Sequence, residues 1–152
     1  MADYGRCGQA VAELRRSIGR LTPDQRFLIL LYNSGYIAMN NKLKLVSSTE
    51  KERDRAIRWL NSKSPNSATF CADALAAGLK LNPSAIFLLS DGEFTDRRNV
   101  FRVLDDENQD KAAKFSRAPL VPIHTIALGS HIGQFSMKRI AEENDGEYRV
   151  IE

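Results

Sequence analysis

The sequence predicts an α/β domain of three layers, with a mostly parallel sheet between helices on both faces. Strand-length apolar runs alternate along the chain with amphipathic helical stretches. The runs within 26–32, 85–90 and 121–129 are nearly all apolar, as strands buried on both faces are. Turn-forming residues bound each run, "NSG" after the first and "SDG" after the second.

The elements follow in order. Cys7, Val11, Leu14 and Ile18 fall at helical spacing, so residues 7–19 read as an amphipathic helix closed by Gly19. "LTPDQ" is a turn, and "RFLILLY" (26–32) is a buried strand. "YIAM" (36–39) returns beside it as an antiparallel edge. Ser47, Ser48 or Thr49 caps a charged helix over 50–61, with Ala56, Ile57 and Leu60 inward. A small-residue helix spans 70–81, with Cys71, Leu75 and Leu79 on one stripe, and "NPS" ends it. "AIFLLS" (85–90) is the next buried strand. The polar region 94–117 is expected to hold one or two helical turns and a longer helix near 106–116. "VPIHTIALG" (121–129) is a strand, 135–143 a helix and "GEYRVI" (146–151) a closing strand. The 152 residues read as a single domain, residues 1–152.

Composition narrows the function classes. Hydrophobic residues make up 43% and charged residues 27%, and no apolar run approaches a membrane span. The net charge of +3 is spread among mixed runs such as "EKERDRAIRW", with no basic stripe interleaved with aromatics, so no nucleic-acid partner is expected. Cys7 and Cys71 form no C-x-x-C pattern and are expected to be buried free thiols. G-x-G-x-x-G, the P-loop and the G-x-S-x-G elbow are all absent. His124, inside an apolar strand, is expected to be a satisfied sheet residue, and His131 a solvated loop residue. Neither has partners that assign it acid–base work.

The informative stretch is "IFLLSDGEF" (86–94). Asp91 follows a buried strand and precedes Gly92, so its carboxylate lies just past the carboxyl end of the sheet, where α/β folds bind ligands. If the small-residue helix packs beside that strand, Thr69 in the preceding loop can meet it. A hydroxyl and a carboxylate are hard oxygen ligands suited to Mg²⁺. Thr69 is also a good helix cap and Asp91 a good turn residue, so the pair alone leaves a purely structural role open.

The chain resembles a von Willebrand factor A (VWA) domain, a Rossmann-like fold. "IFLLSDGEFTD" resembles the central strand and D-G loop of that family. "SATFCADAL" resembles the G-G-T-x-x-x-x-A-L loop, with Thr69 at its Thr, and "LTPDQRFLILLYNS" resembles the L-P-P-x-D-R-F turn and second strand. "VPIHTIALGS" and "MKRIAEENDGEYRVI" resemble the closing strand, helix and strand, so the resemblance runs nearly the whole length. It implies a non-enzymatic, adhesion-type protein-binding module. A divalent cation sits on the sheet top in such domains, and a carboxylate from the protein partner completes its coordination. The resemblance makes Thr69 the second-loop metal ligand and Asp91 the third-loop ligand, with Gly92 shaping the loop.

One departure from the family is large. D-x-S-x-S, which supplies the first-loop ligands, and the central first strand that carries it are missing. Met1 stands where bacterial members end D-x-S-G-S-M, so the domain is expected to be N-terminally truncated with Met1 an internal residue. Cation affinity is then expected to be weak. The rival that "DYGRC" (3–7) is a degraded D-x-S-x-S has no strand to carry it. Ser67 and Ala68 also replace the usual glycine pair. A missing central strand leaves two unpaired ladders, so marginal stability and self-association through exposed strand edges are expected. Two alternatives stand beside the adhesion reading. One is a metal-independent structural or scaffold domain. The other is an α/β hydrolase using Asp91 and Glu93 as carboxylates.

Overall fold

The structure is a computed structural model. It describes residues 2–64, 69–113, 115–116, 118–129 and 131–151, less the side chains of Ala2, Asp3, Tyr4 and Asn40. Its helices are α1 (Ala2–Gly19), α2 (Glu50–Asn61), α3 (Ala72–Leu79), α4 (Arg97–Glu107) and α5 (Gln134–Glu143). Its strands are β1 (Arg26–Phe27), β2 (Leu30–Tyr32), β3 (Tyr36–Ala38), β4 (Val46–Ser47), β5 (Ile86–Ser90), β6 (Ile123–Leu128) and β7 (Tyr148–Ile151).

The expected α/β layering is present around a small sheet. β5, β6 and β7 form a parallel sheet in that order. Along β6, Ile123 and Ala127 join a core with Cys71, just before α3, Leu75 of α3, Val100 and Leu104 of α4, and Met137 and Ile140 of α5. Thr125, on the same face, donates its hydroxyl to the Met137 carbonyl at 2.8 Å. Side chains alternate along a strand, so Ile126 and Leu128 face the other way, where both are buried and α1 packs against β6. A second core joins Ile18 of α1 to Phe27, Ile29, Met39 and Ala56 and Leu60 of α2.

The expected single strand over 26–32 divides. β1 pairs antiparallel with β4, whereas β2 pairs antiparallel with β3. Each half of the run has a different partner, and residues 28–29 carry the chain from one to the other. β2–β3 and β5–β6–β7 form separate sheets, so the sheet is interrupted where the sequence pattern lacked its central strand.

The helix expected near 106–116 is also corrected. α4 occupies 97–107 and stops at Asn108, a fully buried residue whose side chain is committed elsewhere. Its Nδ2 donates to the Val121 carbonyl at 2.8 Å and to Asn144 Oδ1 at 2.9 Å, and its Oδ1 accepts from the Val121 amide at 2.9 Å. Asp110 then accepts from the Ala112 amide in a turn. The chain cannot continue as helix through residues that hold the start of β6.

α1 begins at Ala2 rather than near residue 7, so the backbone of 3–7 is helical and forms no metal loop. Thr49 is the cap of α2, accepting from the Glu52 amide. Cys71 is buried as expected, but Cys7 is only half-buried. His124 is satisfied in its strand, where Nδ1 accepts from the Glu147 amide at 3.1 Å and the ring stacks on Phe87 at 4.8 Å. His131 is exposed. Among the described residues no helix is long and apolar enough to cross a membrane.

Candidate metal centre

Asp91 leaves β5 at the carboxyl end of the parallel sheet. Its Oδ1 accepts the Glu93 amide at 3.0 Å, which closes the turn over Gly92. Gly92 has φ +79° and its amide donates to the buried Ser90 hydroxyl at 3.1 Å. This turn abuts the loop before α5. A Cβ built on Gly92 would lie 2.2 Å from the Gly133 carbonyl oxygen, and one on Gly133 would lie 1.8 Å from that of Asp91. Both positions must therefore be glycine for the two backbones to approach, and this contact fixes where Asp91 points.

The other carboxylate oxygen is engaged from a distant element. Arg6 Nη1 of α1 donates to Asp91 Oδ2 at 3.0 Å, with side-chain exposures of 35% and 24%. Sequence reasoning did not single out Arg6. Its 85-residue separation from Asp91 leaves no local pattern to find.

Thr69 lies in the loop before α3, and that loop is fastened to the one Asp91 opens. The Thr95 amide donates to the Thr69 carbonyl at 3.0 Å, and the Thr69 amide donates to Thr95 Oγ1 at 3.4 Å. Asp96 caps α3, accepting the Cys71 amide on Oδ1 at 3.0 Å and the Ala72 amide on Oδ2 at 2.9 Å. The expected N-cap role of Thr69 thus belongs to Asp96. Thr69 and Asp91 sit on two joined loops, and no hydrogen bond links their side chains among the described residues. Ser67 and Ala68, where the glycine pair was expected, lie outside the described residues.

The donor set can be weighed against a divalent cation. Thr69 and Asp91 bring hard oxygens, and each Asp91 oxygen retains a second lone pair. Among the described residues no cluster of three or more His, Cys, Asp or Glu surrounds them. The pair fits a cation in part. It supplies one carboxylate and one hydroxyl, with the Arg6 guanidinium already neutralising the carboxylate.

A shallow depression of mixed polar and apolar lining lies beside the acidic turn. It encloses about 260 Å³ and is lined by Gly92, Glu93, Phe94, Arg97, Ile132, Gly133 and Ser136. Ile132 is 82% exposed, and Phe135 on the first turn of α5 is 66% exposed. Below the turn, Tyr32 and Cys71 lie close together. Burial pushes the Cys71 thiol far above its usual range, and the neighbouring Asp96 charge adds to this. Burial likewise raises the Tyr32 hydroxyl, with smaller contributions from Cys71 and Asp91.

Comparison with solved structures identifies the fold. A von Willebrand factor type A protein from Catenulispora acidiphila superposes on 99% of this chain with a TM-score of 0.74 and 19% identity. The chain spans about a third of that protein, 35% of its length. The chain therefore has the VWA fold. No protein-family model matches the sequence, and no curated protein does.

Proposed function

We propose that this chain is a protein-interaction module that docks partners at the carboxyl end of its sheet, with a weakly held divalent cation at Asp91 and Thr69. The observation that carries the reading is the partly exposed Asp91 carboxylate, fixed by the Gly92–Gly133 contact, beside a depression that Ile132, Glu93 and Arg97 help to line. A carboxylate beside a shallow depression of mixed charged and apolar lining suits protein recognition. A cation there would act as a bridge, accepting oxygens from Asp91 and Thr69 on one side and a partner's carboxylate on the other. Arg6 holds the carboxylate, and would have to yield it for Asp91 to ligate a cation. No residue in this arrangement has a catalytic task.

Calorimetric titration with Mn²⁺, and with Mg²⁺ in parallel, tests the proposal. Weak binding in the wild type that is lost in Asp91→Asn and reduced in Thr69→Ala is the expected result. Heat of binding that persists in Asp91→Asn would place the cation elsewhere and refute it. The metal-independent scaffold reading has one observation in its favour, the Arg6–Asp91 ion pair, which already balances the carboxylate. No binding in either the wild type or Arg6→Gln would select that reading.

A further inference from the structure

The chain leading into α2 carries an excursion that its strand pairing does not need. Phe27 pairs with Val46, and the Met39 amide donates to the Ile29 carbonyl at 3.0 Å. Leu28 alone therefore faces residues 40–45 of the returning chain. Such an insertion leaves the ladder and re-aims the side chains it carries. Asn41, at φ +52°, turns the chain, and Lys42 is extended at φ −129° and ψ 129°. Among the described residues the Leu43, Lys44 and Leu45 amides meet no acceptor, so no ladder holds the excursion.

With the first turns of α2 the excursion builds a depression of about 680 Å³. Lys42 and Lys44 line it while Leu43 between them does not, which is the alternation of an extended chain. Neither lysine has an ion-pair partner among the described residues. Arg55 of α2 lines the depression as well, and its Nη1 meets Glu52 Oε1 at 3.0 Å. Glu52 Oε2 is shielded from water and has no hydrogen-bond partner among the described residues. Three cations thus stand against one carboxylate around the depression, a surplus of two positive charges. An orphaned acceptor at its border destabilises the chain unless something fills it.

We infer that this depression is a binding site for a sugar phosphate. The two ammonium groups and the remaining donors of the Arg55 fork take the phosphate, whose dianion matches the surplus charge. The volume lies in the range of small-molecule sites and exceeds what a lone phosphate fills, so the ligand has a body. Asn41, Ser47 and Glu52 Oε2 supply that body with hydroxyl partners. Among the described residues no aromatic side chain lines the depression, so a nucleobase finds no ring to stack on. The inference is independent of the cation reading, since it uses neither Asp91 nor Thr69.

Titration of the isotope-labelled chain with glucose 6-phosphate, followed by NMR at fixed ionic strength, tests it. Backbone amides within 41–47 and 52–55 are expected to shift and saturate. Inorganic phosphate is expected to shift the same amides with weaker affinity, and glucose to shift none. Lys42→Gln combined with Lys44→Gln is expected to weaken glucose 6-phosphate binding about tenfold or more, each exposed charge being worth up to about fivefold. Lys80→Gln combined with Lys111→Gln removes the same charge from exposed positions elsewhere and is expected to leave binding unchanged. The absence of any shift within 41–55 would overturn the inference. Inorganic phosphate or sulfate binding as tightly as glucose 6-phosphate would reduce the site to an anion patch and overturn it too. So would AMP binding more tightly than glucose 6-phosphate, which assigns the site to another class of ligand. Equal weakening in the two double variants would leave only the overall field and overturn it likewise.

Discussion

Replacing Arg6 with glutamine tests the proposed competition between its guanidinium and a cation for Asp91. The guanidinium and the carboxylate meet at 3.0 Å and are 35% and 24% exposed, so solvent screens the pair. An ion pair of this exposure is worth about 1 kcal/mol or less. A cation that must displace it is weakened by that amount, so Arg6→Gln should raise Mn²⁺ affinity about fivefold at most. Arg6→Lys keeps a charge and should change affinity less. Arg102→Gln, on an exposed position of α4, removes the same unit of net charge and controls for the overall field. Calorimetry at fixed ionic strength reads all three variants. An equal gain in Arg6→Gln and Arg102→Gln would show that only net charge matters. Unchanged affinity in Arg6→Gln would show that the ion pair does not compete with the cation, and either result refutes the reasoning.

Three further outcomes follow from the packing. Asn108→Ala strips partners from the Val121 amide and carbonyl and from Asn144, all held in the interior. The loss should be about 3 kcal/mol, lowering the melting temperature by roughly 6–12 °C in differential scanning calorimetry. Asp96→Ala removes the cap from α3 and should cost about 1–2 kcal/mol in a urea titration, with little change in the slope. The raised Cys71 and Tyr32 groups make the fold alkali-sensitive. The folded chain keeps both protons where the unfolded chain loses them. Stability should therefore be level below about pH 8.5 and fall as pH rises, first through Cys71 and then near pH 10 through Tyr32. Urea midpoints from pH 7 to 10.5 check this, and Cys71→Ala should delay the first part of the decline.

Much of the fold was legible because its elements carry local signals. Continuous apolar runs marked β5 and β6, and the Ser47–Thr49 run before a charged amphipathic stretch marked α2, with the structure choosing Thr49 as its cap. The acidic turn after β5 could be read because Asp-Gly follows a buried strand. The misread segments were decided by distant partners. Residues 26–32 look like one strand, but β4 claims one end and β3 the other. Residues 106–116 carry helix-forming residues, yet Asn108 is bound to Val121 and Asn144, far along the chain. The site divided in the same way. Asp91 and Gly92 were visible as a turn, whereas Arg6 and the capping Asp96 depend on contacts between loops that no spacing encodes. The interrupted sheet was foreseen from the absence of a central-strand pattern, and β2 and β5 do form separate sheets. Its expected cost in stability is open to the same urea titrations.

Hydrogen–deuterium exchange of the wild type with and without Mn²⁺ tests the central claim most directly. A cation held by Asp91 and Thr69 should slow exchange in the turn at 91–96 and in the loop at 69–72, and leave α2 and β7 unchanged. No protection in either loop at saturating Mn²⁺, in the wild type and in Arg6→Gln alike, would contradict a metal-assisted docking site on this fold.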